Sequence, residues 1–343
     1  MLEKILPYLE PIKHLLTDPD ISEVMINGNA TVFYQSNGRL HELPNVKLDQ
    51  KILEHAAKRI ARVLGKDISE AKPLLDARLA DGSRVSIVYS PISHGGISFT
   101  IRKFRASWFT LAQLVSVEAL PTHVADLLAQ AVIDRQTILI VGATDTGKST
   151  FAKSLIDFIP IEERLGVIED TIELKIDHRN VFRFEAREET RGPEGELTMP
   201  AVTIRDLVKA SLRNRPDRLI IGEVRGAEAF DLLDALNTGH AGSLSTLHAN
   251  SCLQGLSRLA SLALRANVEI PHNALRAEIG DLINLVVHIE RHNFKRRVSE
   301  VIRLRGFDHQ RNTFDFELLY KASNVAIPLQ SGSMKAAASA ALR

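Results

Sequence analysis

The 343-residue sequence holds one cysteine, Cys252, which excludes an intrachain disulfide framework and any tetracysteine zinc module made by this chain. A reducing, cytoplasmic setting is the expectation that fits. No apolar run approaches the roughly 18 residues of a membrane span. The opening Met1-Leu2-Glu3-Lys4-Ile5-Leu6-Pro7 lacks the long apolar core of a signal peptide. Any service to a membrane is therefore expected to be peripheral. An excess of charge is also missing. The 43 Lys and Arg face 42 Asp and Glu, for a net charge of +1. That balance removes the global electrostatic case for nucleic acid as the partner. His240 and His248 lack the Cys or third His that a zinc site needs. No Asn-Lys-x-Asp base-reading motif occurs, which disfavours a GTPase.

What the chain does have is a 45% hydrophobic content over a length at which one core usually stops growing, so two domains are expected. It also has Gly142-Ala143-Thr144-Asp145-Thr146-Gly147-Lys148-Ser149, a full match to the phosphate-loop pattern. The apolar run Thr137 to Val141 precedes it, and a helix-compatible stretch from Thr150 to Ile156 follows. The glycines let backbone N–H groups turn inward as an anion nest at a helix N-terminus, and Lys148 reaches the terminal phosphates. Ser149 is positioned to place its hydroxyl on Mg2+. Asp145 is unusual, because its carboxylate opposes an anionic ligand unless it points outward or pairs with a cation.

In the first hundred residues, Ser22 to Asn27 and Ala30 to Tyr34 flank a turn at Gly28-Asn29, which predicts a hairpin. Apolar positions from Ile52 to Leu64 recur at helical spacing. Leu75 to Leu79 and Arg84 to Val88 around Asp81-Gly82 predict a second hairpin. Alternation in Ile97 to Arg102 buries Ile97, Phe99 and Ile101 and leaves Arg102 on the other face, toward solvent or a ligand. The pattern lapses from Phe104 to Thr110, where Trp108 and Phe109 fall in an expected linker, and helical character resumes to about residue 135. Buried strands at Thr137 to Val141, Leu165 to Glu169, Leu219 to Gly222 and Leu244 to His248 then alternate with helices. That rhythm predicts an α/β fold with a mostly parallel sheet and the ligand at its carboxyl ends. From Ile283 onward an antiparallel extension is expected, and from about Ser323 a mobile tail.

A phosphate loop binds, and hydrolysis also needs a group that orients water and cations that stabilise charge. Arg218-Leu219-Ile220-Ile221-Gly222-Glu223 is an apolar strand ending in a carboxylate, so Glu223 is the first choice to polarise water. Glu169 and Asp170 end another strand and are candidates either to hold hydrated Mg2+ or to share the base role. His248 suits a sensor of the terminal phosphate. Arg213, Arg215 and Arg225 are candidate charge-stabilising arginines across a subunit boundary, and the sequence does not choose among them. The basic cluster Arg291 to Arg297 reads first as a solvated hairpin tip.

The succession GATDTGKST, VIEDTIEL and SLRNRPDRLIIGEVRGAEAFDLLDALNTGHAGSLSTLHANS resembles the type II/type IV secretion ATPase superfamily. These stretches match its Walker A, Asp box, Walker B and His box in order. DPDISEVMING, DARLADGSRV and GGISFTIRKF resemble its conjugal-transfer and tight-adherence branch. The resemblance implies an N-terminal α/β (PAS-like) domain over residues 1–104, a linker over 105–120, a RecA-like P-loop ATPase domain over 121–322 and a tail over 323–343. It further implies ATP and Mg2+ as cofactors, a homo-hexameric ring, and inner-membrane secretion or conjugation proteins as partners. A place on the cytoplasmic side, peripheral to the inner membrane, follows, with no sequence-specific nucleic acid expected.

By the same resemblance the nucleotide loop is Gly142, Ala143, Thr144, Asp145, Thr146, Gly147, Lys148, Ser149 and Thr150. Ser149 and Asp170 fall to Mg2+, Glu169 and Asp170 to the Asp box, Glu223 to Walker B and His240 and His248 to the His box. Arg102 becomes the N-terminal arginine facing the phosphates; apart from the resemblance, Arg215 is carried as the catalytic candidate among the three boundary arginines. Asp145 stands where the family usually has a small residue, and the zinc insertion of some members is absent. Two rivals differ in class: a RecA-class hexameric nucleic-acid motor, and a phosphotransferase acting on a small acceptor.

Overall fold

The computed structural model describes residues 6–323, apart from 29, 30, 37, 47, 80, 105–107, 192–195 and 294. The expected tail beyond Ser323 lies outside the described residues. The first sheet is built after the short helix α1 (Lys13–Thr17), from β1 (Ile21–Ile26), β2 (Val32–Ser36) and β3 (Arg39–Leu43). Helix α2 (Gln50–Val63) intervenes before β4 (Leu74–Arg78), β5 (Arg84–Val88) and β6 (Ser98–Arg102) complete it. All its pairings are antiparallel, in the order β3-β2-β1-β6-β5-β4. Both expected hairpins are there, β1–β2 and β4–β5. The Asp49 carboxylate caps α2 by accepting from the Lys51 N–H, and Leu53, Ala56, Ala57 and Ile60 bury against Phe99 and Ile101 in one core.

One register relationship in this sheet positions the site. Gln35 lies opposite Glu23, Glu23 opposite Arg102, Arg102 opposite Arg84, and Arg84 opposite Arg78. Directly opposed residues share a face. The sheet therefore carries one polar rung, with three arginines on adjacent strands, on the face away from Phe99 and Ile101.

The second unit runs through α3 (Leu111–Ser116), α4 (Thr122–Ile133), β7 (Ile138–Gly142), α5 (Lys148–Ile156), β8 (Leu165–Glu169) and β9 (Val181–Glu185). A small pair follows, β10 (Thr190–Arg191) with β11 (Leu197–Met199), and then α6 (Ile204–Leu212), β12 (Arg218–Val224), α7 (Glu228–Asn237) and β13 (Leu244–His248). The unit ends with α8 (Cys252–Ala263), α9 (His272–Leu282), β14 (Leu285–His292), β15 (Lys295–Asp308) and β16 (Thr313–Lys321). Its eight strands order as β16-β15-β14-β7-β13-β12-β8-β9. All five residues of β7 are buried, as expected for a central parallel strand covered on both faces. Ile138 and Ile140 enter one core with α4 and α5, while Leu139 and Val141 enter the other with α7, α8 and α9.

One expectation differs from the structure. β14 runs parallel to β7, so the antiparallel extension begins only at β14–β15. The helical character expected after Thr110 is there, inside the stretch read as linker: Thr110 and Gln113 form a reciprocal capping box that starts α3. Leu111, Leu114, Ala119 and Leu120 then bury in the core that holds Ile138 and Ile140.

Candidate functional site

Because β7, β13, β12 and β8 are parallel neighbours, their carboxyl ends fall along one edge. His248 pairs in register with Gly142, Leu247 with Val224, and Ile221 with Ile168. Gly142, His248, Glu223 and Glu169 are brought together in this way, at the edge where α/β sheets bind ligands.

Gly147 adopts φ +95°, a left-handed conformation that costs glycine little, and this turn launches α5 at Lys148. The Thr146 hydroxyl donates to the Ala143 carbonyl at 2.9 Å, folding the loop on itself. Lys148 is buried, and its Nζ donates to the Ala143 carbonyl at 3.0 Å and sits 3.2 Å from His248 Nδ1. Burial lowers the pKa of Lys148, against the opposing pull of Glu223. Ser149 and Thr150 occupy the first turn of α5 and line the same cleft of about 380 Å³ as Thr144, Asp145 and Gly147.

Glu223 sits in that cleft with both carboxylate oxygens engaged. Oε1 lies 2.9 Å from His248 Nε2 and 2.8 Å from Arg225 Nε, and Oε2 accepts from Arg225 Nη2 at 3.0 Å. Burial pushes its pKa up, but the hydrogen bonds and charge of Arg225 outweigh that, and the net shift is downward. His248 is pushed below its ordinary value by burial and by the Lys148 charge. Arg225 also reaches Asp170 Oδ2 at 3.3 Å, so the chain Lys148–His248–Glu223–Arg225–Asp170 is continuous.

Glu169 differs from its sequence-based reading. It is 3% exposed, and its Oε1 accepts from the backbone N–H groups of Glu173 and Leu174, both at 2.9 Å. Its Oε2 lies 3.3 Å from Arg183 Nη2. Its oxygens therefore hold the loop after β8 and present Asp170, while Glu169 still lines the cleft. The same side chain explains Gly222: a Cβ there would stand 3.0 Å from the Glu169 Cγ. A larger side chain at that position would press on Glu169.

From the first sheet, Arg102 lines the cleft beside Asp170, Glu223 and Arg225, and its charge acts on Glu23 opposite it. Arg84 was not singled out from the sequence, yet it lines the cleft too. Its Nη2 lies 3.1 Å from Glu173 Oε1, while its Nε is buried with no partner. The third member of the rung, Arg78, pairs with Glu185 at 2.9 Å. Phe104 and Trp108, the latter expected in a linker, also line the cleft.

Three candidates lie away from the cleft of their own subunit. Arg213 and Arg215 are exposed and precede β12, whose seven residues span about 20 Å before the strand ends beyond Glu223. His240 precedes β13, and its Nδ1 lies 3.0 Å from the Ala235 carbonyl, so only His248 of the two histidines meets the cleft. Periodicity places residues on strands, but which end of a strand they occupy decides whether they reach the site.

The basic cluster lies at the tip of the β14–β15 hairpin, with Arg291 and Lys295 exposed, but its cations are paired. Arg297 pairs with Glu290 at 2.8 Å, Lys295 with Glu118 at 3.3 Å, and Arg296 Nη2 with Asp145 Oδ1 at 2.6 Å. Arg291 Nη1 lies 3.7 Å from Asp145 Oδ2. The Asp145 carboxylate, at the rim of the cleft, is thus paired with Arg296 and Arg291, while Lys295 and Glu118 pair at the surface.

The family model described as "Type II/IV secretion system protein" matches residues 8–314. The chain is 33% identical over 331 residues to the type IV secretion system protein VirB11 of Brucella suis biovar 1, covering 86% of this chain and 88% of that one. It is 40% identical over 239 residues to an uncharacterized protein of Methanocaldococcus jannaschii, covering 67% of this chain. The chain spans about a third, 32%, of that archaeal relative's length. The structure of the Legionella pneumophila ATPase DotB superposes with a TM-score of 0.60 at 23% identity, covering 88% of this chain and 80% of that one, which shows a shared fold.

Proposed function

The chain belongs to the type II/IV secretion system protein family, an ATPase family, and we propose that it works as a homo-hexameric ring motor of type IV secretion or conjugative transfer. The ring would sit on the cytoplasmic face of the inner membrane, held by secretion or conjugation proteins and by peripheral contact. Among the described residues no helix is long and apolar enough to cross a membrane. The observation that carries the enzymatic reading is the convergence of Lys148, His248, Glu223 and Asp170 on one cleft that Arg102 enters from the other domain.

In this reading the 143–147 backbone and the N-terminus of α5 cradle the phosphates of ATP, and Lys148 leaves the Ala143 carbonyl for the terminal phosphates. Glu223 orients a water and takes its proton as the water oxygen bonds the γ-phosphorus. The bond to the β,γ-bridging oxygen breaks, and ADP and phosphate leave. His248 links the phosphate side of the cleft to Glu223, and Arg102 meets charge developing on the transferred group.

The residues present fit Mg2+. The donors are hard oxygens, with the Asp170 carboxylate exposed in the cleft and the Ser149 hydroxyl in the first turn of α5. Among the described residues no group of three or more His, Cys, Asp or Glu could hold a metal alone, so phosphate oxygens would complete the site. Mg2+ bound there would neutralise phosphate charge. The test is phosphate release from ATP by the wild type against Lys148→Ala, with and without single-stranded DNA. Turnover that needs Lys148 and ignores DNA supports the reading. Strict dependence on DNA would move it to a nucleic-acid motor.

A further inference from the structure

Asp145 places a negative charge in the loop that must receive a polyphosphate, and the structure surrounds it with donors from three segments. Arg296 on β15 grips the loop twice, through Nη2 to the carboxylate at 2.6 Å and through Nε to the Asp145 carbonyl at 3.0 Å. Arg291 on β14 faces the other carboxylate oxygen at 3.7 Å, and also donates to the Gly38 carbonyl in the first domain. Gln35 on β2 donates to that same oxygen at 3.2 Å. Asp145 itself adopts φ +59°, a left-handed conformation that short polar side chains tolerate, and this turns its carboxylate toward these donors. The stem of Arg296 also packs over the loop, with its Cδ 3.2 Å from where a Cβ on Gly147 would stand.

We infer that Asp145 and Arg296 form a clamp, buttressed by Arg291 and Gln35, that holds the phosphate loop open and shields incoming phosphate from the Asp145 carboxylate. This rests on the nucleotide reading of the cleft and adds to it. Arg296 is a positioning residue: its charge is spent on Asp145, so removing it alone leaves the carboxylate beside the phosphates with only Arg291 at 3.7 Å and Gln35 at 3.2 Å. Removing both partners leaves no carboxylate there. The clamp also links the loop to both domains, so a change in domain placement reaches the nucleotide through Gln35 and Arg291.

The experiment is a double-mutant cycle on the full chain, read as the dissociation constant of a fluorescent ATP analogue at low and high salt. Arg296→Gln should weaken binding about tenfold with Asp145 present and less than about twofold in the Asp145→Asn background. The tenfold loss should shrink as salt screens the exposed carboxylate. Arg291→Gln should show the same dependence more weakly, which keeps the test available should Arg296→Gln not fold. An equal loss from Arg296→Gln and Arg291→Gln in both backgrounds would overturn the clamp while leaving the nucleotide site standing. Absence of binding by the wild type would overturn the nucleotide reading, and the clamp with it.

Discussion

The imidazole of His248 donates toward Glu223, with Nε2 2.9 Å from Oε1. Its other nitrogen, Nδ1, lies 3.2 Å from the Lys148 ammonium, which can only donate, so Nδ1 accepts. A neutral ring protonated at Nε2 satisfies both neighbours, and the depressed pKa of His248, from burial and Lys148, agrees with that tautomer.

A stability prediction follows from the sign of that shift. The folded-state value lies below the ordinary 6.5, so as pH falls the unfolded chain takes up the proton first. Stability present above about pH 6.5 is lost as pH falls through 6.5, and the loss stops below the folded value. Melting temperatures of wild type and His248→Gln between pH 5 and 8 should show the wild-type advantage shrinking in acid. A gap that widens in acid would contradict the neutral assignment.

Glu223→Gln should retain ATP binding, because Lys148 and the loop are untouched, and lose about 10²- to 10⁴-fold in kcat. Rapid-quench turnover alongside equilibrium binding separates the two effects. Full activity in this variant would remove Glu223 from its role.

Asp170→Asn should raise the Mg2+ concentration needed for half-maximal turnover several-fold, because one of the two hard oxygen donors offered to the cation is weakened. A Mg2+ titration at saturating ATP reads this directly, and an unchanged curve would assign Asp170 to the Arg225 pair alone.

Glu169→Ala should act on stability. Two backbone N–H groups would lose their acceptor in a buried setting, a cost on the order of 3 kcal/mol. Glu169→Gln keeps one acceptor oxygen and should lose about 1 kcal/mol, with kcat nearly retained. A collapse of kcat in Glu169→Gln at wild-type melting temperature would restore Glu169 to the chemistry.

Much of this was legible from residue patterns. The Gly142 to Ser149 phrase, the apolar strand ending in Glu223 and the alternation that exposes Arg102 each reached the cleft, because strand ends and strand faces follow from periodicity. What stayed hidden depended on pairing between distant segments. The partnership of Arg84 with Arg102 is a register relation between neighbouring strands, and that of Asp145 with Arg296 spans 151 positions. Glu169 looked like a ligand because its burial and its two backbone donors cannot be read from a strand-end carboxylate. His240 carries motif identity and Arg215 is a candidate for a subunit boundary, but both lie before their strands begin, so chain direction keeps them from the cleft in this subunit.

The most direct test of the central claim is steady-state phosphate release from ATP, with oligomeric state followed across protein concentration, in wild type and Lys148→Ala. The account predicts turnover that rises as rings assemble, proceeds without DNA and disappears in Lys148→Ala. Turnover that is equal in the two proteins would contradict it.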